Sequence, residues 1–205
     1  MARSKSSGRW LDEHFKDEFV KLAQAQGYRS RSVYKLKEVD QRDFLFKPGF
    51  RVLDLGAAPG GWSQYASQKI GKHGKIIASD ILTMEEVSGV TFVQGDFTEN
   101  NVILELKAQL QGKKVDLVLS DMAPNSTGMT VIDQPRAMYL AELAAETAQQ
   151  HLVKGGSFFV KVFHGSGYES FYKDVSKLFQ KVVARKPKAS RPRSKEVYIL
   201  ARNFK

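Results

Sequence analysis

The stretch Val52-Leu53-Asp54-Leu55-Gly56-Ala57-Ala58-Pro59-Gly60-Gly61-Trp62-Ser63-Gln64 constrains the fold of this 205-residue chain more than any other. An apolar run ends in an acid, a glycine-rich bend follows, and then a helix begins. This is the strand–turn–helix opening of a doubly wound α/β sheet, whose ligands sit beyond the carboxyl ends of the strands. Glycines let backbone approach a ligand closely, and the N–H groups of a helix start face it. The spacing is not G-x-G-x-x-G, so the dinucleotide fingerprint is absent and a dehydrogenase is disfavoured.

The rest of the chain reads in the same period. Residues 1–8 are small, polar and basic, and are expected to be a disordered tail. Residues 9–205 are expected to form one domain with a helical preface at about 10–46. In that preface, 10–26 reads as an amphipathic helix with Trp10, Phe15, Phe19 and Leu22 on one side. Ser30 is a candidate cap for a second helix carrying Val33, Leu36 and Val39. Strands are expected at 50–55, 75–79, 90–94, 115–120, 157–163, 181–185 and 195–201. Helices are expected at 61–70, 99–110, 133–150 and 168–180, with a loop over 122–132 and a turn at Gly155-Gly156. Strands alternating with helices predict a mostly parallel seven-stranded sheet covered on both faces, with the last strand antiparallel.

Four acids fall at strand ends: Asp54, Asp80, Asp96 and Asp121. By topology they are expected to point into one crevice. Carboxylates there repel phosphate but suit a cation and the donors of a ribose diol or an amino group. S-adenosylmethionine, a nucleoside carrying a sulfonium and no phosphate, matches. The predicted strand 157–163 alternates Phe159, Lys161 and Phe163 on one face with Phe158, Val160 and Val162 on the other. Parallel strands are buried on both faces, so Lys161 interrupts an apolar run, and an ammonium buried there needs a partner. Glu196, on the last strand, is the expected partner. Lys35 taken alone is a solvated helix lysine, and the four histidines have no ligand spacing.

Charge and composition narrow the partners. The net charge is +10, and residues 151–205 carry 13 Lys/Arg against 3 Asp/Glu, while residues 48–150 carry 8 against 12. Basic flanks around an acidic centre are the electrostatic footprint of a nucleic-acid binder. Arg29, Arg31, Arg185, Lys186, Lys188, Arg191, Arg193 and Lys195 are the expected phosphate contacts, and 186–194 the expected loop beside the cleft. The chain has no cysteine, which excludes disulfides and thiolate metal sites. The N-terminus lacks the apolar core of a secretory signal, and no stretch approaches the ~20 apolar residues of a membrane span. A cytoplasmic location is expected.

Five motifs together carry a family resemblance that runs from about Arg9 to the C-terminus. They are Asp54–Gln64, Ser120-Asp121-Met122-Ala123-Pro124-Asn125, Pro135-Arg136-Ala137-Met138-Tyr139-Leu140, Phe159-Val160-Lys161-Val162-Phe163 and Ser194-Lys195-Glu196-Val197-Tyr198. The sequence resembles the RrmJ/FtsJ family of RNA ribose 2′-O-methyltransferases, most closely its compact bacterial type. The resemblance implies a Rossmann-like class I methyltransferase fold and S-adenosylmethionine as cofactor, with no metal. It also implies a uridine in the A-loop of 23S ribosomal RNA as substrate, in the 50S subunit, and a monomeric enzyme. The family's Lys–Asp–Lys–Glu tetrad falls on Lys35, Asp121, Lys161 and Glu196, with Lys161 the expected base and Asp121 expected to orient it, and its cofactor contacts fall on Gly60, Trp62, Asp80, Asp96 and Asp121. Two other readings remain at this stage. One is an RNA-binding ribosome-assembly factor on the same fold; the other is a 2′-O-methyltransferase for transfer RNA or an mRNA cap.

Overall fold

The computed structural model describes residues 17–205. The expected tail at 1–8, the first part of the helix expected at 10–26, and its Trp10 and Phe15 lie outside the described residues. In chain order the elements are α1 (Glu18–Ala25), α2 (Val33–Asp43), β1 (Arg51–Leu55), α3 (Gly61–Ile70), β2 (Lys75–Asp80), β3 (Val90–Gln94), α4 (Asn100–Leu110), β4 (Val115–Ser120), α5 (Thr130–His151), β5 (Leu152–Phe163), α6 (Tyr168–Leu178), β6 (Phe179–Arg185) and β7 (Glu196–Phe204). They build a seven-stranded sheet of order β3-β2-β1-β4-β5-β7-β6. Strands β1 to β5 are parallel neighbours, and β7 runs antiparallel between β5 and β6.

Strand alternation sends side chains into two apolar layers. On one face Leu53, Leu55, Val118, Phe158, Val160 and Ile199 pack under Val102 and Leu106 of α4, Ala141 and Ala144 of α5, and Phe171 and Val175 of α6. On the other face Val52, Ile76, Leu117, Phe159, Tyr198 and Leu200 pack under Ala23 of α1, Val33 and Leu36 of α2, and Trp62 and Ala66 of α3. The helical preface therefore completes the second face of the sheet, which α3 alone would leave partly bare. That placement carries Lys35, on α2, over the strand ends.

Several boundaries differ from expectation. In α1 Val20 and Ala23 are buried and Leu22 is 40% exposed, because the helix docks through Phe19 against the ring of Tyr34 rather than through Leu22. Ser30 does not cap α2. Its hydroxyl bonds that of Ser32 at 2.7 Å, and its carbonyl accepts from the N–H of Val33 in a turn that precedes the helix. Strand β5 starts five residues early and runs through Gly155-Gly156, with a register shift against β4. Gly156 permits this: a β-carbon there would lie 2.9 Å from the carbonyl oxygen of Val153. Helix α5 starts at Thr130, inside the expected loop, because Asp133 accepts from the N–H groups of Thr127 and Gly128 and from Ser126 Oγ.

Candidate active site

The strand order reverses between β1 and β4, and a crevice opens there at the carboxyl ends of the parallel strands. A cavity of about 290 Å³ occupies it, lined by Gly56 and Ala58 of the bend, by Asp80, Asp96 and Asp121, and by Met122, Asn125 and Leu140. Asp80 ties the bend to β2: its Oδ2 accepts from the Ala58 N–H at 2.8 Å and its Oδ1 from the Leu82 N–H at 2.9 Å. Asp96 Oδ1 accepts from the N–H and hydroxyl of Thr98 at 2.8 and 2.7 Å. Those bonds hold its carboxyl below the usual carboxylate range, so it is ionised at neutral pH.

Asp54 does not join them. It is fully buried beneath the bend and accepts the Ser63 hydroxyl at 2.6 Å. Its Oδ1, like the Ser79 hydroxyl, has no hydrogen-bond partner among the described residues. Burial, only partly offset by Ser63, pushes its carboxyl up to about 7. Three of the four strand-end acids thus line the crevice, and the fourth supports it from below. A raised carboxyl destabilises the fold as pH rises, because the unfolded chain ionises first. The Asp54 contribution is full below about pH 4 and is lost as pH climbs through 7. Asp54→Asn should remove this slope. The variant should gain up to ~4 kcal/mol on wild type between pH 4 and 8 in paired denaturation curves. A constant offset at every pH would contradict the assignment.

Gly60 and Trp62 are not among the residues lining the cavity. Gly60 is the left-handed N-cap of α3 (φ 102°) and packs close to Arg29 and Met84. Trp62 is 2% exposed, donates its indole N–H to the Ser32 carbonyl at 2.9 Å, and stacks on Phe159 at 5.5 Å.

Beside the cavity the charged residues meet in two pairs. Lys161, buried, donates to Asp121 Oδ1 at 3.1 Å and to the Asp121 carbonyl at 2.5 Å. Lys35 meets Glu196 Oε1 at 2.7 Å, and the same oxygen accepts from Ser190 Oγ at 2.8 Å. The expected partnership of Glu196 with Lys161 is therefore not the one that forms. Across the β5–β7 pair Lys161 stands opposite Tyr198, and Glu196 opposite Phe163. Glu196 reaches instead to α2 and to the loop after β6. Tyr198 joins the two pairs. Its hydroxyl donates to Asp121 Oδ1 at 2.9 Å, and Lys35 Nζ lies 5.7 Å from its ring centre. Burial and the neighbouring Asp121 and Glu196 charges hold this phenol well above its ordinary value, so it stays a donor. Sequence reasoning gave Tyr198 and Ser190 no role. Alternation from Glu196 places Tyr198 on the face of Lys161, and a hydroxyl within an otherwise apolar run was the available signal.

Four of the expected phosphate contacts brace the fold. Arg29 donates to the carbonyls of Glu85 and Glu86, each at 2.6 Å. Arg31 pairs with Asp17 and donates to the Ala189 carbonyl. Arg185 forms a two-pronged pair with Asp43 at 2.7 and 2.8 Å. Lys186 donates to the carbonyls of Ser194 and Glu196. The loop 186–194 is thereby held beside the Lys35–Glu196 pair, with Lys188 and Arg193 exposed on it and Lys195 exposed just after it. Among the described residues no group of three or more His, Asp or Glu could hold a metal ion, and no helix is long and apolar enough to cross a membrane.

A doubly wound sheet closed by an antiparallel strand slotted between β5 and β6, with an acid-lined cavity at its switch point, defines the Rossmann-like methyltransferase class. Within it, the chain belongs to the FtsJ-like methyltransferase family, which residues 28–204 match. It is 58% identical over 201 residues to ribosomal RNA large subunit methyltransferase E of Chromohalobacter salexigens, covering 98% of this chain and 96% of that one. It is 54% identical over 204 residues to the protein of the same name from Cellvibrio japonicus, covering 100% and 97%. Among solved structures it is similar to a Plasmodium falciparum protein described as a ribosomal RNA methyltransferase. The TM-score is 0.77 at 33% identity, over 86% of this chain and 98% of that one.

Proposed function

We propose that this protein transfers a methyl group from S-adenosylmethionine to the ribose 2′-hydroxyl of a uridine in the A-loop of 23S ribosomal RNA. The substrate is the RNA within the 50S subunit, and the enzyme acts as a cytoplasmic monomer. The observation that carries the reading is the position of Asp121. One carboxylate lines the cofactor-sized cavity and also holds Lys161 and Tyr198. Donor and acceptor sites therefore share a wall. The relatives named ribosomal RNA large subunit methyltransferase E support the substrate class. Both apolar layers rest on one sheet, which supports the described residues 17–205 as a single domain.

The cavity suits the cofactor chemically. Asp96 and Asp121 offer carboxylate oxygens to amino and hydroxyl donors, and Asp80 borders the same space with both oxygens already engaged by backbone N–H groups. Among the described residues Asp80 and Asp96 form no ion pair, and Asp121 pairs only with Lys161, so three acids beside one cation favour a positively charged ligand and oppose a phosphate. Gly60 and Trp62 act at one remove, by setting the start of α3 and the packing beneath the bend. Asp80, Asp96 and Asp121 are the residues that would hold S-adenosylmethionine, which when bound would supply an electrophilic methyl on a sulfonium.

The chain's own residues must then orient the hydroxyl and take its proton. Alignment of the attacking oxygen can supply several kcal/mol of the barrier. Lys161 is the base of this reading; Asp121 and Tyr198 fix its direction. Lys35 and Glu196, neutralising each other, leave the ribose a polar wall without excess charge. The exposed cations of the loop 186–194 and Lys195 add the salt-sensitive grip on RNA phosphates. Mapping of 2′-O-methyl groups in RNA from cells with and without this protein tests the proposal. One A-loop uridine of 23S RNA should lose its mark. Loss confined to transfer RNA or to a cap, with the A-loop mark intact, would overturn it.

A further inference from the structure

A second cavity, of about 270 Å³, lies next to the first. Both are lined by Ala123, which follows β4. Its walls are Pro124, Ala137 of α5 and Phe163, the last residue of β5, and Lys195 stands exposed at its edge. Phe163 is two residues beyond Lys161 on the same face of β5, and Lys195 directly precedes Glu196. The cavity therefore opens beside the charged pairs, on the side away from Asp80 and Asp96.

Its floor is built rather than incidental. Gln134, 9% exposed, donates through Nε2 to the carbonyls of Phe163 and Ser166 at 3.1 and 3.0 Å. Both amide hydrogens are spent on fixing the end of β5. That orients the carboxamide, and its oxygen is left as an acceptor. Ser126, Thr130 and Asp133 complete the lining, and the Asp133 carboxylate is already engaged by Ser126, Thr127 and Gly128. A half-buried aromatic ring, a proline and an alanine wall, the fixed Gln134 acceptor and a cation at the rim describe a site for a flat heterocycle on a phosphate chain.

We propose that this second cavity receives the base of the acceptor nucleotide, turned out of the RNA against Phe163 and Pro124, so that its ribose falls at Lys161. Lys195 meets the phosphate of the same nucleotide. The proposal rests on the 2′-O-methyltransferase reading and adds to it that the base, not only the ribose, is gripped. Seating the base fixes the sugar, because the glycosidic bond leaves the ribose little freedom once the ring is held.

The test compares reconstituted large subunits carrying either uridine or an abasic ribose at the acceptor position, with wild type and Ala137→Leu. Leucine at 137 projects into the cavity and narrows it. Wild type should methylate the abasic ribose roughly tenfold to a hundredfold more slowly than uridine, the range that base–aromatic stacking provides. Ala137→Leu should be slowed on uridine and show no preference between the two, while binding S-adenosylhomocysteine as wild type does. Equal wild-type rates on both substrates, or an unchanged preference in the variant, would overturn the proposal and leave the methyltransferase reading standing. Absence of any ribose methylation by wild type would overturn both. If Ala137→Leu does not fold, 4-thiouridine at the acceptor position decides by photo-crosslinking to wild type. Attachment to peptides containing Pro124 or Phe163 supports the site, and attachment only elsewhere overturns it.

Discussion

Lys161→Arg should bind S-adenosylhomocysteine as wild type does and transfer methyl groups on the order of 10²–10⁴-fold more slowly, the contribution usual for a positioned base. Arginine keeps the charge, and its guanidinium can satisfy both acceptors that Lys161 satisfies, the Asp121 carboxylate and carbonyl. It cannot give up a proton at any accessible pH. The comparison therefore separates chemistry from architecture. Asp121 remains paired, the Tyr198 hydroxyl keeps its partner, and the cavity wall they form is preserved. In Lys161→Ala, by contrast, Asp121 loses its cation, and any loss of activity would mix the missing base with a displaced carboxylate. The check is single-turnover methyl transfer beside calorimetric cofactor binding, with a pH–rate profile of wild type. Activity of the arginine variant within about tenfold of wild type would fall below that range and assign Lys161 to positioning the hydroxyl alone.

Why Lys161 was visible from periodicity alone, while its pairing with Asp121 came only with the family tetrad, has a physical explanation. Period-two alternation is local, so Val160-Lys161-Val162 between phenylalanines announces a buried cation with no knowledge of the fold. That Asp121 and not Glu196 meets it depends on β4 ending beside β5 and on the register of β7 against β5. Neither is written in local periodicity. The same limit explains Asp54. A strand-end acid looks alike whether it turns toward the crevice or under the bend, and only the Ser63 hydroxyl on the first turn of α3 draws it down. Asp80, Asp96 and Asp121 were legible because each closes a strand of a parallel sheet, and parallel strands end on one side. Arg29, Arg31 and Arg185 misled because a cation that braces carbonyls and a cation that meets phosphate share the same composition. Lys35 acquired a role only through the family motif. Its position over the strand ends depends on how the preface packs on the sheet, which no single helix discloses.

The glycine bend carries the second large effect. Gly56→Ala should lower the melting temperature by about 10 °C and slow methyl transfer at least about a hundredfold. Gly56 is left-handed at φ 74°, and its N–H donates to the Ser79 carbonyl at 2.9 Å. A β-carbon there would lie 2.7 Å from Met122 Cγ and 2.9 Å from both the Cα and the backbone nitrogen of Met122. The left-handed backbone costs ~1–2 kcal/mol for alanine, and forcing atoms into a packed site adds ~1–3 kcal/mol. The crowding carries the functional effect, because the displaced backbone is that of the residue after Asp121. A shift there moves the carboxylate that lines the first cavity and holds Lys161, and a misplacement of ~1 Å can cost ~100-fold in rate. Gly71→Ala is the control: φ is 67°, and a β-carbon would meet nothing within 4 Å. It should incur the backbone cost alone and leave methyl transfer unchanged. Equal loss of activity in the two variants would mean that left-handed strain, and not the contact between the ends of β1 and β4, is what the glycine relieves. The expected difference places the requirement for Gly56 in the close approach of two strand ends, where the acid-lined cavity meets the carboxylate that holds Lys161.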